Sequence, residues 1–108
     1  MSGETVVDLV QAHRITAIVY TAAKLNLAEA IGREAKSPNE LAPIVSAHAD
    51  SLKRLLIALA TIGVCKTEGE CFRLTELGQQ LDSRSNPSFK DYVLYEGEFL
   101  ALFQKVPI

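Results

Sequence analysis

Ser37-Pro38-Asn39-Glu40-Leu41-Ala42-Pro43-Ile44-Val45, then Asp50-Ser51-Leu52-Lys53-Arg54-Leu55-Leu56-Ile57-Ala58-Leu59-Ala60-Thr61-Ile62-Gly63, then Val64-Cys65-Lys66-Thr67 and Cys71-Phe72-Arg73-Leu74 around Glu68-Gly69-Glu70, is the stretch whose reading decides the fold. Ser37 is a good N-cap, Pro38 suits the first helical position, and Glu40 is placed to complete a capping box, so a helix is predicted through Leu41, Ile44 and Val45. After the connection Ala47-His48-Ala49, Asp50 is expected to cap a second helix through Leu52, Leu55, Leu56, Leu59 and Ile62, which Gly63 stops. The two short runs that follow, separated by a glycine-containing turn, predict a β-hairpin. Thr75-Glu76-Leu77-Gly78 then opens a short helix bearing Leu77 and Leu81.

Upstream, Thr5 to about Lys24 reads as one long helix, with Val6, Val7, Leu9, Val10, Ile15, Ile18, Val19, Ala22 and Ala23 apolar and Asp8, Gln11, Arg14 and Thr21 at helical intervals. Its apolar surface is wider than one stripe, which calls for burial on more than one side. Leu25-Asn26-Leu27 breaks that helix, since Asn tolerates the left-handed conformation, and Leu27 to Ile31 makes a short turn closed by Gly32. Arg33 to Lys36 is read as a polar loop. Downstream of the polar connection Asp82-Ser83-Arg84-Ser85-Asn86-Pro87, residues Phe89, Tyr92, Tyr95, Phe99 and Phe103 place five of the chain's seven aromatics on one helical face. The predicted fold is mainly α with a small β-hairpin: a winged helix-turn-helix with long additional N- and C-terminal helices. It forms one domain over residues 1–108, with a core of about 5–82 and a terminal helix of about 88–105.

With 108 residues, 48% of them hydrophobic, the chain suits one globular domain, and a function that needs two domains must borrow the second. The net charge of −2 argues against general nucleic-acid binding, whose affinity comes largely from Lys and Arg on phosphates. A transmembrane helix is not indicated, because polar residues interrupt every long apolar run. Met1-Ser2-Gly3-Glu4 carries no positive charge of a signal-peptide kind, so a cytoplasmic protein with reduced cysteines is expected.

The outer positions of the second motif helix are Asp50, Lys53, Arg54, Ile57 and Thr61, with only two cations, and Glu68 and Glu70 sit at the wing tip where phosphates would lie. Lys53 and Arg54 therefore read as solvated charges, and a DNA-binding regulator using them is the disfavoured alternative. For Cys65 and Cys71 a turn at Glu68-Gly69 pairs Cys65 with Phe72, and a three-residue turn pairs it with Arg73; neither register opposes the two cysteines. Their spacing also misses that of structural zinc. His13 and His48 have no metal or catalytic partners at useful spacing, and the six glycines are isolated, so no phosphate-cradling loop can be drawn. The aromatic face most simply reads as core, yet with the first helix it could supply an association patch that a homodimer would bury. Candidates for that interface are Val7, Val10, Ile18, Tyr92, Tyr95, Phe99 and Phe103. A pocket between the terminal helices, lined by His13 and Tyr95 with Tyr92 beside them, is a third reading and suits a small molecule.

The residues resemble the N-terminal dimerisation domain of S-adenosylmethionine-dependent O-methyltransferases of the caffeate and hydroxyneurosporene type. Leu52 to Val64 is similar to that family's Leu-x-Arg-Leu-Leu-Arg-x-Leu-x-x-x-Gly-Val helix, with Ile57 in place of the second Arg. Phe72-Arg73-Leu74-Thr75-Glu76-Leu77-Gly78 is similar to its aromatic-x-Leu-Thr-x-x-Gly segment. Ala23-Lys24-Leu25-Asn26-Leu27-Ala28-Glu29-Ala30-Ile31 is similar to the stretch that in the family more often reads Ala-x-x-Leu-Gly, with Asn26 in the Gly position. The resemblance implies a winged-helix-like fold, an intimate homodimer and a supporting share in an acceptor-substrate pocket. It implies structural roles for the motif leucines, Gly63 and Gly78, and a helix cap at Thr75. The family's catalytic His and Gly-rich cofactor loop lie in a later Rossmann-like domain that no residue here matches. No cofactor is thus expected on this chain, and S-adenosylmethionine enters only with an attached catalytic domain. The chain is read either as part of a longer methyltransferase or as a stand-alone relative.

Overall fold

Ser37 Oγ accepts from the Glu40 backbone N–H at 3.1 Å, and Glu40 Oε1 accepts from the Ser37 N–H at 2.9 Å. This closed capping box starts helix α3 (Pro38–Val45) as the sequence predicts. The computed structural model describes residues 5–105; the leader reading at Met1 to Glu4 lies outside them. Along the chain come α1 (Val6–Lys24), α2 (Leu27–Ile31), α3, α4 (Ala49–Thr61), β1 (Cys65–Glu68), β2 (Cys71–Leu74), α5 (Glu76–Gln79) and α6 (Lys90–Gln104). The mainly helical chain with one antiparallel hairpin is the expected winged arrangement.

Local chemistry sets most boundaries. Thr5 caps α1 by accepting from the Asp8 N–H, and Asn26 takes the left-handed corner between α1 and α2 at φ 57°. Helix α4 begins two residues earlier than the Asp50 cap predicted, with His48 in the cap position. Its first bond runs from the Leu52 N–H to the His48 carbonyl, so Asp50 lies inside the first turn, where its charge faces the helix's positive end.

Leu52, Leu56 and Leu59 recur on one face of α4 and are essentially inaccessible, as are Leu27 and Ile31 from α2 and Leu41 from α3. Each such side chain contributes about 1.5–3 kcal/mol through burial, so this leucine cluster is the main source of cohesion. The hairpin covers one side of it with Cys65, Phe72 and Leu74.

The hairpin register differs from both alternatives the sequence offered. Gly69 and Glu70 form the turn, with Gly69 at φ 61°, so Cys65 pairs with Leu74 and Glu68 with Cys71. This register puts Cys65, Phe72 and Leu74 together on the core face. The cysteines still do not oppose each other, and both are free thiols. Burial pushes the Cys65 thiol up to about 11.

The supposed polar loop at Arg33 to Lys36 also does more than connect. Lys36 exchanges two backbone hydrogen bonds with Phe72, at 3.0 and 2.8 Å, and so adds a one-residue third strand to the wing. Its ammonium donates to the Ala30 and Ile31 carbonyls, closing the end of α2.

Thr75 caps α5 by accepting from the Gly78 N–H at 3.1 Å, and its hydroxyl reaches the Gly63 carbonyl at 2.6 Å. Gly78 is required by space: a β-carbon there would strike the Val64 carbonyl oxygen and crowd Leu74. Leu81 is buried, whereas Leu77, expected beside it, is half exposed.

Gly78→Ala is expected to lower unfolding stability by about 1–3 kcal/mol through backbone displacement, readable as a reduced urea midpoint; an unchanged midpoint would contradict the contact. Acid should weaken the fold as well. Hydrogen bonds from Ser37 hold the Glu40 carboxyl below its usual range, and the Arg84 guanidinium does the same for Asp82. Groups depressed in this way stabilise the fold above the ordinary carboxylate pKa, and that contribution disappears as pH falls through their lowered values. Melting temperature should therefore hold down to about pH 4.5 and drop below it.

Candidate functional site

Helix α6 has two unlike sides. Inward, Val93 packs against the leucine core and Gly97 lies on the ring of Tyr20 from α1, which occupies the space a β-carbon would need. The Tyr20 hydroxyl donates to Glu98 Oε1 at 2.7 Å, and Lys24 Nζ stands 3.2 Å from the same oxygen. Tyr20 and Lys24 together hold the Glu98 carboxyl below its usual range; the bond to that carboxylate in turn raises the Tyr20 phenol. Outward, Tyr92, Tyr95, Phe99 and Phe103 are each more than half exposed, and Phe99 stacks on Phe103 with ring centroids 6.2 Å apart. The expectation that this aromatic face forms core is corrected: the smooth side bearing Gly97 packs inward, and the rings are left outside.

The N-terminal half of α1 is equally uncovered, with Val6 73%, Leu9 59% and Val10 62% accessible and Val7 and Ile15 similar. Ile18 differs, being half-buried against the core. Thus Val7, Val10, Tyr92, Tyr95, Phe99 and Phe103 all stand on the surface of the two crossing helices, and Ile18 lies beneath them.

Between α1 and α6 runs an open cleft of about 310 Å³ lined by Ile15, Thr16, Val19, Tyr92, Val93 and Glu96. Its walls are apolar, and the Glu96 carboxylate beside Tyr92 raises that phenol. His13 is exposed and hydrogen-bonds through Nδ1 to the Val10 carbonyl; neither it nor Tyr95 belongs to the lining of this cleft.

A larger cleft of about 500 Å³ opens among Arg33, Lys36, Asp82 and Arg84. Two of its three cations are already committed: Lys36 to the end of α2, and Arg84 to Asp82 in a bidentate pair at 2.9 and 2.8 Å.

The winged-helix outer face gives no stronger site. Lys53, Arg54 and Ile57 are exposed, and at the wing Glu68 pairs with Arg73 at 2.9 Å. Among the described residues no group of three or more His, Cys, Asp and Glu could hold a metal, and no helix is long and apolar enough to cross a membrane.

Sequence reasoning missed the Tyr20–Glu98–Lys24 cluster and a second ion pair, Glu29–Lys90. The one aromatic inside α1 and the one glycine inside α6 were the available signals.

The sequence profile of the O-methyltransferase dimerisation domain matches residues 7–83. The phenazine O-methyltransferase PhzM of Lysobacter antibioticus is 34% identical over 92 residues, covering 84% of this chain and 27% of that protein. The 2,7-dihydroxy-5-methyl-1-naphthoate 7-O-methyltransferase of Streptomyces carzinostaticus is 41% identical over 64 residues, 58% of this chain and 19% of its own length. Among solved structures, LaPhzM superimposes with a TM-score of 0.79 at 30% identity, over 92% of this chain and 32% of that one. NcsB1 from neocarzinostatin biosynthesis, in complex with S-adenosyl-L-homocysteine, gives 0.79 at 28% identity, over 92% and 34%. The chain spans about a quarter or less of the curated relatives it matches. With its motifs in family order and its winged-helix core between two long helices, this chain belongs to the O-methyltransferase dimerisation domain family.

Proposed function

We propose that the chain is a non-catalytic pairing module that forms a homodimer through the outer faces of α1 and α6. The observation that carries this reading is the uncovered apolar surface on both helices at once. The four aromatics of α6 and Phe89 at its N-cap leave on the order of 500 Å² open, taking each ring residue at about 150–250 Å². With the α1 aliphatics added, the surface reaches the roughly 800 Å² that each partner contributes to a standard stable interface. A monomer would hold that area against water at a continuous cost. Pairing buries Val7, Val10, Tyr92, Tyr95, Phe99 and Phe103 and packs the second copy's helices over the half-buried Ile18.

In this reading the chain serves a cytoplasmic S-adenosylmethionine-dependent O-methyltransferase as its holding part. The cofactor belongs to a catalytic domain, and this chain by itself binds none. The α1–α6 cleft, apolar with a phenol and a carboxylate at its edge, supports a share in binding a small aromatic acceptor. A second copy docking on the outer face would add His13 and Tyr95 to that enclosure. Nucleic acid is not a partner in this account, because the wing cation Arg73 is neutralised by Glu68.

Sedimentation equilibrium should give a dimer at micromolar concentration, and Phe99→Asp should give a monomer of unchanged helix content. A wild-type monomer throughout that range would overturn the pairing. Calorimetry with S-adenosylmethionine should show no heat of binding to this chain, and clear saturable binding would contradict the non-catalytic assignment.

A further inference from the structure

Where α6 leaves the winged-helix core, the contact is polar. Lys90 Nζ stands 2.8 Å from Glu29 Oε2, the two side chains being only 12% and 21% exposed. Lys90 also donates to Asn26 Oδ1 at the corner between α1 and α2. The Ser83 N–H donates to the same Glu29 oxygen at 2.9 Å, and the Arg84 guanidinium reaches the Glu29 carbonyl at 3.4 Å. Glu29 Oε1 is buried with no hydrogen-bond partner. Burial pushes the Glu29 carboxyl upward, but Lys90 and Ser83 outweigh it and the group ends below its usual range. One carboxylate thus gathers the first turn of α6, the α1–α2 corner and the segment after the wing.

A little-exposed ion pair is a weak source of net stability, because desolvation offsets most of its attraction. Direction is what it can supply. Gly97 on the Tyr20 ring and the Glu98 clasp beside it fix α6 on α1 at one level, and Val93 rests on the leucine core through an apolar contact that carries no direction. Lys90 lies seven residues before Gly97, two turns away on the same face and about 10 Å along the axis. Two fixed points define a line where one does not. Beyond Gly97 the helix carries Phe99 and Phe103 outward over a similar length, so a swing at Lys90 becomes a comparable displacement of those rings.

We propose that Glu29 and Lys90 are a positioning pair: they fix the angle at which α6 crosses α1, and so hold the aromatic face in register for a second copy of this chain. The proposal rests on the homodimer reading above. It separates orientation from cohesion, and the full chain can test that separation.

The informative variant is the double change Glu29→Gln with Lys90→Met, which removes the ion pair without leaving either charge alone. Thermal unfolding should stay within a few degrees of wild type, while the dimer dissociation constant rises tenfold or more. Amide exchange in the first two turns of α6 should quicken at least tenfold, with β1 and β2 amides unchanged. Lys90→Met alone, which strands the Glu29 carboxylate, should lower the melting temperature as well. A double variant with wild-type dimer affinity and wild-type α6 exchange would overturn the proposal. If the wild-type chain sediments only as a monomer, the homodimer reading fails, and the α6 exchange rates still decide whether the pair positions the helix.

Discussion

Where α6 crosses α1, the Tyr20 ring fills the space a side chain at position 97 would need, and the Tyr20 hydroxyl and Lys24 ammonium clasp the neighbouring Glu98. This contact decides which side of α6 faces inward. A helix with glycine at its crossing can approach closely only on that side, so Tyr92, Tyr95, Phe99 and Phe103 are carried to the opposite one. The exposed face is therefore a consequence of the crossing and not of a shortage of core. The leucine cluster of α2, α3 and α4 is complete without it.

Much of this was legible in the residues because its physics is local. The capping box at Ser37, the left-handed corner at Asn26 and the cap at Thr75 each depend on atoms a few residues apart, and each forms as read. The spacing of Leu52, Leu56 and Leu59 gave the inner face of α4. The hairpin register was misjudged because Gly69 could hold either position of a two-residue turn, and only burial of Phe72 and Leu74 against a core not yet assembled separates the choices. The residue type of Asp50 favours a cap, while the backbone bond from Leu52 to His48 starts the helix two residues sooner.

What covers a face was illegible for a different reason. Periodicity places Phe89, Tyr92, Tyr95, Phe99 and Phe103 together but is silent on whether protein or solvent lies opposite them. Likewise the partners Tyr20 and Glu98, or Glu29 and Lys90, stand far apart in sequence and carry no spacing signal. The candidate interface was thus identifiable by composition, while the contacts that aim it were not.

Membership of the O-methyltransferase dimerisation domain family gives the uncovered surface its meaning, and the surface gives that family name a physical basis in this chain. The account's central claim is that the outer faces of α1 and α6 are covered by a second copy. Isotope-filtered NMR on an equal mixture of labelled and unlabelled chain tests it most directly. The account predicts intermolecular contacts from the Tyr95, Phe99 and Phe103 rings to methyl groups of Val6, Val7, Leu9 and Val10. Contacts confined to another surface, such as the Lys53 to Ile57 face of α4, or none at all at millimolar concentration, would contradict it.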